Sequence, residues 1–136
     1  ADHLHALRQP GLDVVQLLLA ELRHRVESAG SRFAVVVIPE IGQVHPEQVF
    51  PGYGSSPSLR ALFDLGRPDS VLVAGMTARG IPALALLPVL ADHGRRTGEV
   101  LYFRRDGHLN LAGHRVAAGA IEEWLVASGL VEPPTE

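Results

Sequence analysis

Cysteine is absent from the 136 residues. That excludes disulfides, thiolate metal sites and a cysteine nucleophile, and it leaves the redox compartment, and with it the localisation, illegible. Long apolar runs are missing too. The longest, residues 14–22 and 81–90, fall well short of the roughly 20 residues a membrane-spanning helix needs. Basic clusters are few: the 12 basic residues are scattered apart from the pairs Arg95–Arg96 and Arg104–Arg105, and the net charge is −3. Nucleic-acid binding is therefore not expected. No internal repeat, low-complexity segment or leader peptide stands out. The chain starts at Ala1 rather than Met, so an N-terminal part is expected to be missing.

What is present suits one domain with a buried core, since 46% of the residues are hydrophobic and 20% charged. A helix is expected over residues 12–29. Its stripe Leu12, Val15, Leu18, Leu19, Leu22 and Val26 repeats at the helical period and should face the core. His24 falls among surface charges, and Gly30 ends the helix. Residues 33–38, FAVVVI, form the strongest strand, apolar on both faces as a covered parallel strand is. Pro39 stops it. Glu40 and Gln43 follow at its carboxyl end, where open α/β sheets bind ligands. They are candidates for lining a cleft, with a solvated loop as the even alternative.

Residues 44–58 read as irregular. Their GYGSS fails as a nucleophile elbow, because no strand precedes it, a glycine pair brackets Tyr53 and Pro57 follows the serines. Short helices are expected over 57–65 and 69–79, the second between Pro68 and Gly80. Residues 81–87, IPALALL, are the second buried strand, parallel and adjacent to the first. Pro88 opens a helical turn that Asp92-His93-Gly94 closes, and 95–99 form a polar loop. A last helix covers 111–127, with Leu111, Val116, Ala120, Ile121, Trp124 and Leu125 on its apolar side. This order is α/β with a parallel sheet. Residues 1–11 are a polar N-terminal segment whose His3 and His5 read as a frayed terminus, 12–129 the domain, and 130–136 a tail. Leu18, Leu22, Val35, Val37, Leu84, Leu86, Ile121 and Trp124 are expected to be largely buried.

The chain is organised around residues 101–116, LYFRRDGHLNLAGHRV. An apolar run over 100–103 leads into the turn dipeptide Asp106-Gly107. Asn110 is a good N-cap for the last helix. Asp106 and His108 thus sit on a loop held between packed elements, where catalytic side chains are often mounted. An Asp beside a His can orient the imidazole while the His acts as general base, and Gly107 lets the two side chains meet. On spacing alone, a helix cap and a surface His remain the commoner reading. A metal site from Asp106, His108 and His114 is disfavoured, because the two His are six residues apart and no further carboxylate is near. His114, one turn into the helix, is expected to be structural.

Residues 102–125, YFRRDGHLNLAGHRVAAGAIEEWL, resemble the C-terminal block of SGNH hydrolases, the GDSL esterase and lipase superfamily. Many members end with a strand, D-G-H-L-N, a G-H pair and an alanine-rich helix. FAVVVIPEIGQV and GIPALALLPVL stand upstream in the matching order, so the similarity covers about residues 14–125. The D-x-H spacing is similar to the branch that includes polysaccharide O-acetylation proteins. The resemblance implies a three-layer flavodoxin-like parallel sheet with helices on both faces, present here as its C-terminal half. It also implies Ser-His-Asp acyl transfer on ester or acetyl groups, with His108 as base and Asp106 completing the triad.

The family's nucleophilic Ser lies in a G-D-S segment near its N-terminus, and this chain has no such segment. Asp69-Ser70 follows Pro68 in an expected helix, the Gly and Asn oxyanion-hole blocks are missing, and Ala85 stands where many relatives carry Asp. The resemblance thus implies the His–Asp half of a site with its Ser outside this chain. It implies a small-molecule or carbohydrate ester substrate, Glu40, Gln43 and Asn110 as candidate cleft lining, and neither cofactor nor metal. The partner expected across the 33–38 strand edge is a missing N-terminal segment, a second chain or another copy. The alternatives are a catalytically dead acyl- or carbohydrate-binding module and a purely structural α/β domain.

Overall fold

The computed structural model of the protein describes residues 10–62 and 64–132. His3 and His5, and the end of the expected tail, lie outside the described residues. The elements in order are α1 (Pro10–Ser28), β1 (Val35–Val37), α2 (Ile41–Val44), α3 (Pro46–Val49), α4 (Pro57–Leu62), α5 (Arg67–Thr77), β2 (Ala83–Ala85), α6 (Leu87–Thr97) and α7 (Leu111–Ala127). β1 and β2 are parallel neighbours, with Val35 opposite Ala83 and Val37 opposite Ala85. The fold is α/β with a small parallel sheet, as the sequence predicts, and these are the two strands described.

The ladder runs one bond past each end of the paired triplets. Val35 N–H donates to the Pro82 carbonyl at 2.9 Å and Leu86 N–H to the Val37 carbonyl at 3.0 Å. It stops there because Pro82 has no N–H to give and because Leu86 adopts helical backbone angles as the N-cap of α6. The core lies beyond these strand ends. Leu86, Leu90 and Leu101 are fully buried, joined by Val44, Tyr102, Leu109 and Ala117. α6 packs on α2 and α7, and α5 packs on β2 and α1.

Three expectations are corrected. First, α1 does not bury its apolar stripe: Leu18 is 64% exposed and Leu22 47%. The helix is turned to seat Gln16 against α5. There its amide donates to the Val71 carbonyl and accepts from Arg79 at 2.8 Å. Gly75 has no side chain to block that amide. A buried polar group that finds partners can set a helix's rotation against its hydrophobic period. Second, α6 runs through Gly94 to Thr97. Asp92 pairs with Arg95 and Arg96, each at 2.7 Å, one turn ahead, and Gly98 supplies the left-handed C-cap instead. Third, the segment read as irregular begins on the last residue of the short helix α2 and holds the short helix α3, which Pro46 starts at its first turn. Of the positions expected in the core, Leu86 is fully buried, while Val35, Val37, Leu84, Ile121 and Trp124 are half-buried. Leu111 faces solvent.

Candidate functional site

The stretch between α6 and α7 is a hairpin. Tyr102 and Leu109 form an antiparallel bridge. Phe103 N–H donates to the His108 carbonyl at 2.8 Å, and Asn110 N–H to the Leu101 carbonyl at 3.0 Å. The loop between them is Arg104, Arg105, Asp106 and Gly107. Gly107 closes it, donating its N–H back to the Phe103 carbonyl at 3.2 Å. Its φ of +71° is the left-handed conformation that an L side chain resists. Asp106 and His108 therefore project from the tip of a hairpin rather than from the mouth of the helix.

Asp106 stiffens the tip with its own side chain: Oδ1 accepts the His108 N–H at 3.0 Å. The same oxygen lies 3.6 Å from Nδ1 of His108, beyond hydrogen-bond length, with the two side chains 58% and 83% exposed. Exposure of this degree makes the pair worth little to stability. It leaves the other imidazole nitrogen open to solvent.

The base of the hairpin is far more rigid. The Asn110 side chain caps α7, its Oδ1 accepting Gly113 N–H at 3.0 Å, while its Nδ2 donates to the Val100 carbonyl at 2.7 Å. A Cβ on Gly113 would collide with the Leu101 carbonyl, so the G-H pair of the motif lets α7 start hard against the hairpin. His114 is exposed, which corrects its expected structural role. The inward face of α7 belongs to Gly113 and Ala117. Tyr102 is buried and donates its hydroxyl to the Pro39 carbonyl at 2.6 Å, which ties the hairpin to the end of β1. Burial, and then the carboxylates of Asp69 and Glu40, push its pKa up to about 12.

The hairpin tip and the segment after β1 share one end of the molecule. A cavity of about 350 Å³ there is lined by Ile41, Gln48, Val49 and Arg104. Arg104 has no ion pair among the described residues. Glu40 is exposed and caps α2, its N–H donating to Oε1 of Gln43 at 2.8 Å. The Gln43 amide also donates to the Leu65 carbonyl at 2.7 Å and to Asp69 Oδ1 at 2.9 Å, so it braces the loop leading into α5. Asn110 lines a second cavity, of about 410 Å³, with Glu99, Val100, Phe103, Leu111, Ala112 and Arg115.

Sequence reasoning missed Asp69, which is buried in the first turn of α5 with Oδ2 lacking a hydrogen-bond partner among the described residues. An acid after a proline at a helix start gives no signal of burial. Among the described residues no three His, Cys, Asp or Glu side chains gather as a metal site. The loop serines have local partners: Ser55 donates to the Gly52 carbonyl, and Ser56 accepts the Leu59 N–H.

A family model described as an SGNH hydrolase-like domain, acetyltransferase AlgX, matches residues 2–134. No curated protein and no solved structure gives a match.

Proposed function

Because this chain belongs to the SGNH hydrolase-like domain family of the acetyltransferase AlgX, we propose that it carries the His–Asp half of an acyl-transfer site acting on ester or acetyl groups. His108 is the general base, taking the proton of an attacking hydroxyl on Nε2 and returning it to the leaving group. Asp106 orients the ring through Nδ1–H and stabilises the imidazolium. The observation that carries this reading is the hairpin tip, where one turn presents both side chains 3.6 Å apart over a well-bonded base. A small rotation of the exposed imidazole brings Nδ1 into bonding range, and such contacts commonly tighten only when substrate is bound. The substrate is a small-molecule or carbohydrate ester, and the cavity beside Arg104 is a recess at the same end of the molecule.

The nucleophile is a serine outside this chain. Ser55 and Ser56 sit in a loop that follows no strand, so neither occupies the strained strand-to-helix turn that activates a serine. A base without a nucleophile accelerates nothing. The chain by itself should therefore resist labelling by a fluorophosphonate probe, and the full-length protein should label at a serine elsewhere. Labelling of Ser55 or Ser56 contradicts this assignment. A second reading, a non-catalytic acyl- or carbohydrate-binding module, draws on the same cavity. It is separated by turnover of an activated acetyl ester, which only the catalytic reading expects.

A further inference from the structure

Leu101 is fully buried at the entry of the hairpin. In a continued antiparallel ladder its N–H would return to the Asn110 carbonyl. That carbonyl is already taken by the His114 N–H at 2.9 Å, in the first turn of α7. Starting a helix directly behind the hairpin thus leaves a buried backbone donor without its ladder partner, which is costly unless another acceptor is found. The acceptor is Nε2 of His45, 3.1 Å from the Leu101 nitrogen.

His45 is built for that task. It forms the joint between α2 and α3, donating its N–H to the Ile41 carbonyl at 2.7 Å and accepting Gln48 N–H at 3.0 Å. Its ring meets Tyr102 edge to face, centroids 6.1 Å apart. Its other side rests on α6 at Gly94, where a Cβ would come within 2.7 Å of Cε1.

We propose that His45 is the positioning residue for the hairpin carrying Asp106 and His108. It works as a neutral imidazole with its proton on Nδ1, and its protonation unlatches the hairpin. The functional consequence rests on the reading of His108 as base; the latch itself does not. A neutral ring with Nδ1–H accepts at Nε2, whereas an imidazolium has donors at both nitrogens and would face the Leu101 N–H with a second donor. Among the described residues nothing offers a compensating anion. α6 presents Gly94, and its His93 is already paired with Glu99 at 2.9 Å. The hairpin presents Tyr102, whose phenol stays protonated. Glu47 of α3 accepts the N–H groups of Gly52 and Gly54. Burial holds the His45 pKa below the usual imidazole value.

The direction with pH follows. The unfolded chain takes up this proton before the folded one, so the stabilisation is complete above about pH 6.5 and is lost as pH falls below it. The test is amide hydrogen exchange of the full-length protein, read as protection factors over residues 101–110. His45→Phe keeps the ring's shape and removes the acceptor. His45→Gln keeps an acceptor and removes the titration. At pH 7.5 the first should lose protection at Leu101 and Asn110 by about tenfold, one buried hydrogen bond's worth, and the second should match wild type. Between pH 7 and 5.5 wild type should lose protection there and His45→Gln should not.

Equal protection in wild type and His45→Phe, or an acid response that survives in His45→Gln, overturns the latch. If His45→Phe fails to fold, the comparison of wild type with His45→Gln decides alone. Should the latch respond as expected while His108→Ala keeps full ester turnover, the latch stands and the base assignment falls. The reverse outcome removes only the latch.

Discussion

Asp106 accepts, on one oxygen, the N–H of the residue that the proposed mechanism has it orient, and the same oxygen stands 3.6 Å from the Nδ1 of that residue. The residues that hold the tip in place are better fixed than the tip itself. Asn110→Ala removes a helix cap and the bond to the Val100 carbonyl together, and should cost about 1–3 kcal/mol in chemical denaturation. Gly113→Ala should cost at least as much, about 1–3 kcal/mol, because the new methyl meets the fixed Leu101 carbonyl first and the Leu109 side chain as well. Tyr102 gives a pH signature of the opposite sign to His45. Its folded pKa is raised to about 12, so its stabilisation is whole below pH 10 and drains away as pH rises from about 10 to 12. Tyr102→Phe should be less stable than wild type at pH 8 by about 1 kcal/mol and should lack that alkaline slope. An unchanged slope in the variant would assign it elsewhere.

At the scale of elements, the turn at Asp106-Gly107 and α7 were legible because their signals are local, while the return strand that makes the turn a hairpin was not. Asp106-Gly107 announces a turn and Asn110 a cap, each through chemistry within three residues. FAVVVI and IPALALL declared parallel strands through composition alone. α1 was legible as a helix but its rotation was not, because the residue that decides it is Gln16, whose partners Val71 and Arg79 lie more than fifty residues away. For the same reason Asp69 and His45 were invisible as interior groups. If the rotation is right, Leu18→Lys on α1 should change unfolding free energy by no more than about 0.5 kcal/mol, whereas Met76→Ala in α5, fully buried, should cost about 2–5 kcal/mol. A large loss from Leu18→Lys would restore the core-facing stripe.

For the molecule as a whole, a two-stranded parallel sheet is an unusual end point, since parallel sheets are normally covered on both faces and extended at both edges. Here β1 pairs on one edge only among the described residues, while α1 exposes Val14, Leu17, Leu18 and Leu22 to solvent. Unpaired edges and apolar stripes favour association. The 136-residue chain should therefore sediment as a self-associated species, and a monodisperse monomer that melts cooperatively would contradict that. The catalytic claim is tested most directly by steady-state turnover of an activated acetyl ester by the full-length protein with His108 replaced by Ala and His114→Ala as control. kcat should fall by about 10³-fold or more for His108→Ala, with melting unchanged, and stay within about twofold for His114→Ala. A folded His108→Ala variant that keeps wild-type kcat would show that His108 is not the base.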